Sequence, residues 1–148
     1  MPTAKGELVP EASDAPIRQP VVAVIATSAE GVLITKRHDG KPPYGFLTGE
    51  IEPGESPADA AVREAKEEAG LTIRAGETIA ERIHPKTNRL MYYMAATPVH
   101  GIKVFVNDDQ ELAWVGWLSL AEADERMAEY GGMYGPVHEY LERLLDVP

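Results

Sequence analysis

The sequence of 148 residues contains no cysteine, which excludes a disulfide framework, a thiolate metal site and a cysteine nucleophile. Basic residues are also scarce, because 14 Lys and Arg are set against 24 Asp and Glu and the net charge is −10. General nucleic-acid binding needs a basic surface that displaces counterions from phosphates, so this charge balance argues against it. An acidic protein that binds phosphates needs divalent cations to offset the repulsion.

Long apolar runs are missing as well. The longest, Val21 to Ala26, is far too short to cross a bilayer. The acidic residues Glu7, Glu11 and Asp14 stand where a signal peptide would need its apolar stretch. We therefore expect no membrane association and a cytoplasmic location.

The length and apolar content are those of one globular domain. Prolines recur among polar residues in the first twenty positions, without hydrophobic periodicity. This pattern predicts a flexible N-terminal arm over residues 1–19 and a single domain over residues 20–148.

Short apolar runs predict the strands, and runs with helical spacing predict the helices. The strands are expected at Val21–Ala26, Val32–Thr35, Glu77–Ile83, Leu90–Thr97 and Ala113–Leu118, with a weaker candidate at Lys103–Val106. Residues 39–53 are rich in Gly and Pro and are expected to be irregular, and helices are expected at Leu120–Tyr130 and Val137–Leu145. This order predicts an α/β or α+β sandwich with mixed strand directions.

A further helix has clear signals at both ends. Ser56 suits the N-cap, Pro57 the first helical position and Gly70 the stop after the last turn, so the helix should span Pro57 to Ala69. Within it, Glu64 and the pair Glu67–Glu68 are spaced i, i+3 and i+4 and share one face.

Three carboxylates on one helix face repel one another, and the last two also lie near the negative end of the helix dipole. A hard divalent cation accepts oxygen ligands and reverses this repulsion. Glu64, Glu67 and Glu68 are therefore predicted to bind a metal ion, and Arg63 is placed to pair with Glu67 four residues on.

The segment from Gly49 to Leu71 resembles the Nudix box, G-x5-E-x7-R-E-U-x-E-E-x-G-U, in which U is a bulky apolar residue. The matching residues are Gly49, Glu55, Arg63, Glu64, Glu67, Glu68, Gly70 and Leu71. The resemblance implies a Nudix-type α/β/α sandwich with a mixed sheet. It also implies a hydrolase that cleaves the phosphoanhydride bond of a nucleoside diphosphate derivative with Mg²⁺ or Mn²⁺.

The resemblance also assigns roles. Glu64, Glu67 and Glu68 would bind the metal, with the Gly49 carbonyl as a further ligand and Glu55 assisting from the loop. Arg63 would orient these groups. Because water is repelled by the phosphate oxygens until cations neutralise them, a metal-activated water is expected as the nucleophile. Glu64 is the first candidate for its general base and Glu111 the second.

Basic and aromatic residues near these positions are candidates for binding the substrate. They are Lys36, Arg37 and Arg82 for the phosphates and Tyr44 and Phe46 for the nucleobase. The substrate itself stays open between a nucleoside triphosphate and ADP-ribose or a nucleotide sugar. A domain of the same fold that senses a nucleotide without cleaving it is a further alternative, and a homodimer is left open.

Overall fold

Seven strands and three α-helices follow one another in the computed structural model, which describes residues 18–40 and 42–145. The strands are β1 (Val21–Ser28), β2 (Gly31–Arg37), β3 (Tyr44–Gly45), β4 (Leu47–Glu50), β5 (Ile73–Ile83), β6 (Leu90–Pro98) and β7 (Leu112–Leu118). The helices are α1 (Pro57–Ala69), α2 (Leu120–Met127) and α3 (Gly135–Leu144), and a 3₁₀ turn (Ala128–Tyr130) follows α2.

The strands form two connected parts of one sheet. In the larger part the order is β4–β1–β6–β5, in which β1 is parallel to β6 and the other neighbours are antiparallel. In the smaller part β2 lies between β3 and β7, with both pairs antiparallel. The hairpin of β1 and β2 joins the parts through only two paired positions next to its turn, so the two strands diverge beyond them.

The helices cover both faces of the sheet and bury two separate cores. Alternate residues of β1 point to opposite faces, so Val22 and Val24 pack with α1, whereas Ala23 and Ile25 pack with α2 and α3. Four of the five alanines of α1 are fully buried and allow the helix to lie close to the strands. The predicted α/β/α sandwich with a mixed sheet is confirmed.

Helix α1 begins and ends where the sequence predicted. The Ser56 hydroxyl accepts a hydrogen bond from the backbone N–H of Asp59 at 3.0 Å. Gly70 ends the helix in the left-handed region, with a φ of 66°. The ring of Phe105 packs against Gly70 so closely that a Cβ there would lie 2.4 Å from it. Both the backbone angle and this contact require glycine.

Two local predictions were wrong. Residues 39–53 contain the short strands β3 and β4, because the pairing of β4 with β1 supplies an order that the local Gly and Pro content does not indicate. Residues 103–106 form no strand, since the backbone N–H of Phe105 donates to the carbonyl of Ala69 at the end of α1. Val104 and Val106 pack against the core, which explains their strand-like alternation.

The predicted N-terminal arm lies outside the described residues except for its last two positions. At that point the carbonyl of Gln19 accepts hydrogen bonds from the Arg89 guanidinium. None of the helices in the described part of the chain has the length and apolar character needed to cross a membrane.

Candidate active site

The acidic face of α1 lies directly against strand β4. A Cβ built on Gly49 would meet the Glu64 carboxylate at 2.0 Å, so only glycine leaves room for this side chain. Gly49 is held in position because β4 pairs with β1, where Gly49 lies opposite Val22. The first and fourth specified residues of the predicted pattern therefore meet in space.

Arg63 is the centre of a network that joins α1 to the preceding loop. Its Nε and Nη2 atoms donate to the two Glu55 carboxylate oxygens at 2.8 and 2.9 Å, and Nη2 also donates to the Glu50 carbonyl at 2.9 Å. Its Nη1 atom donates to Glu67 at 3.2 Å and to Glu64 at 3.3 Å. The hydrogen bond from Arg63 lowers the pKa of Glu55 to about 2, so both oxygens of Glu55 are committed to holding the arginine.

Glu64 and Glu68 are buried carboxyl groups, with only 9% and 4% of their surfaces exposed. Burial raises the pKa of both, and the neighbouring Glu64 helps to raise the pKa of Glu68 to about 8. Among the described residues, the Oε1 atom of Glu68 has no hydrogen-bond partner. A pair of buried carboxyl groups with an unsatisfied oxygen fits a hard divalent cation, which would replace the missing partner and neutralise their charge.

Glu67 differs from this pair because its side chain is 57% exposed and turns toward Arg63. For that reason no three His, Asp or Glu side chains in residues 18–40 and 42–145 already surround a common metal position. The six box residues that were predicted to belong to the site nevertheless lie together: Gly49, Glu55, Arg63, Glu64, Glu67 and Glu68.

The last turn of α1 is held by the segment that follows β6. The Asn107 side-chain amide donates to the Glu67 carbonyl at 2.9 Å, and its backbone N–H donates to the Glu68 carbonyl at 2.9 Å. These bonds satisfy carbonyls that have no partner within the helix. They also fix the backbone of Glu67 and Glu68, two of the three proposed metal ligands on the helix. Nothing in the sequence pattern of residues 103–107 indicated this contact.

A cleft of about 370 Å³ opens over the acidic face, and Gly49 and Glu64 line it. Glu111 reaches its edge from the start of β7 and pairs with Arg37 at 3.1 Å. On another side Arg89 pairs with Glu50 at 3.1 Å. The sequence predicted a contribution from Glu111 and Arg37 and missed that of Arg89, which lies in a hairpin without a recognisable motif.

A larger cleft of about 530 Å³ continues from the first and shares Arg37 and Thr48 with it. Of the predicted substrate-binding residues, Arg82, Tyr44 and Phe46 line it as well. Lys36 lines neither cleft among the described residues. Because side chains alternate along β2, it points away from Thr35 and Arg37, and its Nζ lies 5.4 Å from the centre of the Tyr44 ring.

The two tryptophans of β7 lie on opposite faces of the sheet. Trp117 packs against the α1 core and donates from Nε1 to the Ile102 carbonyl at 2.7 Å. Trp114 packs on the opposite core and meets Tyr44 edge to face, with ring centres 6.3 Å apart. Both rings therefore have neighbours in the protein.

Several solved structures have the same fold. An Ap4A hydrolase from C. elegans matches with a TM-score of 0.70 at 19% identity, over 86% of this chain and 99% of that one. The dihydroneopterin triphosphate pyrophosphohydrolase of E. coli matches with a TM-score of 0.61 at 19% identity, over 87% and 97%. An ADP-ribose pyrophosphatase from Streptococcus suis matches with a TM-score of 0.58 at 21% identity, over 71% and 76%.

Comparison with curated protein sequences gave no match. The sequence profile of the NUDIX domain, however, matches residues 17–137, which is most of the chain and includes the whole site. Together with the fold and the arrangement of the box residues, this match identifies the chain as a member of the Nudix family of hydrolases.

Proposed function

We propose that this hydrolase is a Mg²⁺-dependent pyrophosphohydrolase that cleaves a phosphoanhydride bond in a nucleoside triphosphate or another nucleoside diphosphate derivative, with Mn²⁺ as an alternative cation. The observation that carries the proposal is the buried pair of Glu64 and Glu68: Glu64 lines the smaller cleft, and the Oε1 atom of Glu68 has no hydrogen-bond partner among the described residues. Such a pair is costly to keep without a cation.

Glu64, Glu67 and Glu68 are the proposed ligands, with the Gly49 carbonyl as a further one. Since the Glu67 side chain is more than half exposed, it can turn from Arg63 toward Glu64 at little cost. We assign Glu55 to a positioning role through Arg63, because both of its carboxylate oxygens already accept hydrogen bonds from that guanidinium.

A divalent cation bound there would offset the charge of the substrate phosphates and make the attacking water more acidic. In the reaction, water adds to one phosphorus, the bridging P–O bond breaks, and the released group keeps the electron pair. Glu64 lines the cleft and is the first candidate to take the proton of the water. Glu111 is the second, and its ion pair with Arg37 holds it at the cleft edge.

Arg37 also faces the larger cleft and is placed to bind the phosphates on the side away from the carboxylates. The three proteins with similar structures are named for activity on ADP-ribose, Ap4A and dihydroneopterin triphosphate. At about 20% identity they show the fold and favour none of these compounds here. ADP-ribose or a nucleotide sugar is therefore an equal alternative to a nucleoside triphosphate.

A hydrolysis panel tests the proposal. The protein is incubated with Mg²⁺, with Mn²⁺ or with a chelator, together with nucleoside triphosphates, dinucleotides, ADP-ribose and nucleotide sugars, and the released phosphate groups are measured. We expect cation-dependent turnover of at least one compound. No turnover across the panel would instead favour a nucleotide sensor.

Glu67→Gln should lower kcat for the best substrate by about a hundredfold or more, because one charged ligand is lost while the side-chain volume is kept. Glu125→Gln on α2 is the matched control, since Glu125 is exposed and belongs to the opposite layer. A Glu67→Gln protein with the wild-type rate would overturn the assignment of the ligands.

A further inference from the structure

Arg82 is an arginine without an acidic partner in a very acidic protein. Arg37 and Arg63 each pair with glutamate, whereas Arg82 makes no ion pair with Asp or Glu among the described residues. Its guanidinium carbon lies 3.8 Å from the centre of the Tyr134 ring and 5.8 Å from that of Tyr93. The guanidinium is thus held in place by stacking and keeps most of its charge available.

Most of the N–H donors of Arg82 also make no hydrogen bond within the described residues. Its Nε atom donates to the Tyr93 hydroxyl at 3.1 Å. A guanidinium has five N–H donors, so the terminal nitrogens, which make no hydrogen bond within the described residues, are left to meet a planar anionic group. Tyr93 and Tyr134 themselves lie 5.1 Å apart and are tilted by 37°, which forms a rigid support beneath the arginine.

The larger cleft around Arg82 contains cations and no carboxylate. Arg37 and Lys86 also line it, and none of the described lining residues is Asp or Glu, although acids outnumber bases in the whole chain. His84 adds a neutral donor: its Nδ1 accepts from the backbone N–H of Lys86 at 3.1 Å, so its proton belongs on Nε2. The cleft is therefore built for an anion.

This anion site is separate from the acidic face of α1. Arg82 is on β5 and Gly49 on β4, and β1 and β6 lie between them. Three inter-strand spacings of about 4.8 Å place the two strands roughly 14 Å apart. A single phosphate group therefore cannot contact both Arg82 and a cation on the acidic face of α1.

We propose that Arg82 is a specificity-determining residue whose guanidinium binds a phosphate group of the substrate that lies beyond the scissile diphosphate. The preferred substrate is then a nucleoside diphosphate derivative with an additional, remote phosphate. That phosphate is either a monoester on a sugar or part of a longer polyphosphate chain. The inference rests on the proposed function in one respect, because it takes the diphosphate to lie over the acidic face.

Two pairs of probes separate these sources. NADPH differs from NADH only by a remote phosphate monoester, and diadenosine tetraphosphate differs from diadenosine diphosphate by a longer chain. Binding of each probe is measured by titration calorimetry with EDTA present. Chromatography of the same samples shows whether any probe was cleaved. The binding result therefore stands even if the hydrolysis panel fails.

The wild-type protein should prefer the more phosphorylated member of at least one pair by about tenfold or more, as expected for charge-assisted hydrogen bonds. Arg82→Gln should reduce that preference to nearly equal affinities. Arg74→Gln is the matched control, because Arg74 is exposed on the same strand and lines neither cleft. Arg82→Lys keeps the charge and should retain part of the preference.

Equal affinities within both pairs for the wild-type protein would overturn the inference. A second result would also overturn it: an Arg82→Gln protein that is folded, as shown by a thermal melt, and binds all four probes more weakly by the same factor. In that case the stacking of Arg82 on the two tyrosines would have only a structural role. If Arg82→Gln does not fold, the wild-type preference and its partial retention in Arg82→Lys decide the question. The pair in which the preference appears identifies the source of the phosphate.

Discussion

The two clefts differ in how the protein handles charge. The smaller one lies over a helix face on which Glu64 and Glu68 are buried beside each other, with Glu67 next to them. The larger one is lined by Arg37, Arg82 and Lys86 and by no described acid. Both are suited to phosphates, but Arg37 and Arg89 in the smaller cleft are paired with glutamates, whereas Arg82 in the larger one makes no ion pair among the described residues.

This difference indicates a division of tasks. The carboxylates of the smaller cleft can bind phosphates only when a cation is present. The cation then supplies positive charge at the phosphoanhydride bond that breaks. Fixed arginines cannot do this but give a permanent anion site that selects the rest of the ligand. Variants that alter one cleft and leave the other intact test this contrast.

The largest effect is expected when a side chain fills the space between β4 and the acidic face of α1. Gly49→Ala would place a Cβ 2.0 Å from the Glu64 carboxylate and force it out of position. A displacement of that size should lower kcat/KM by about a hundredfold or more. Phosphate probes should still bind the larger cleft with wild-type affinity, as measured by titration.

Gly76→Ala is the control for this change. Gly76 is also a strand glycine, but its added Cβ would have only ordinary contacts, at 3.5 Å from Ala95. It lies on β5 and lines neither cleft. If both alanine variants had the same activity, the close approach of Gly49 to Glu64 would have no role in the reaction.

A smaller effect is expected when the hydrogen bonds that hold the last turn of α1 are weakened. Asn107→Ala removes the amide that donates to the Glu67 carbonyl. The free energy of unfolding should fall by about 1 kcal/mol, and activity several-fold, because the last turn of α1 loosens. Urea denaturation and kinetics measure the two effects. Gln110→Ala, an exposed neighbour in the same loop, should change neither.

An Asn107→Ala protein that loses stability but keeps full activity would show that α1 holds its carboxylates without this support. Probe binding at Arg82 should be unaffected in either case. The result therefore measures how far the two clefts depend on a common scaffold.

The smallest effect is expected away from both clefts, between α2 and α3. His138 Nε2 lies 2.8 Å from Asp124, with Glu142 at 3.5 Å on the other ring nitrogen, and the hydrogen bond that His138 donates to the Asp124 carboxylate raises the pKa of His138. A raised pKa stabilises the fold below the unfolded value of about 6.5. This stabilisation is lost as the pH rises through the folded value.

The loss should be well under about 1 kcal/mol, because the Asp124 side chain is substantially exposed. Urea denaturation at pH 5.5 and pH 8 measures it. His138→Gln should remove this part of the pH dependence and leave the activity at each pH unchanged. An unaltered pH dependence in that variant would contradict the assignment to this pair.

Helix α1 was predictable because all of the sequence signals that specify it are local. The cap at Ser56, the stop at Gly70 and the i, i+3 and i+4 spacing of the glutamates lie within one segment, and each acts through the helix backbone itself. The sequence by itself therefore determined this helix, the identity of its acidic face and the family to which the chain belongs.

Contacts between distant segments decided the rest. The strand β4 forms because β1 lies beside it, and residues 103–107 are irregular because their N–H groups bind the end of α1. The sequence marked Arg82 as a possible phosphate ligand but did not indicate its tyrosine support or the acid-free cleft around it. Electrostatic environment depends on which side chains the fold brings within a few ångströms, and no local pattern contains that information.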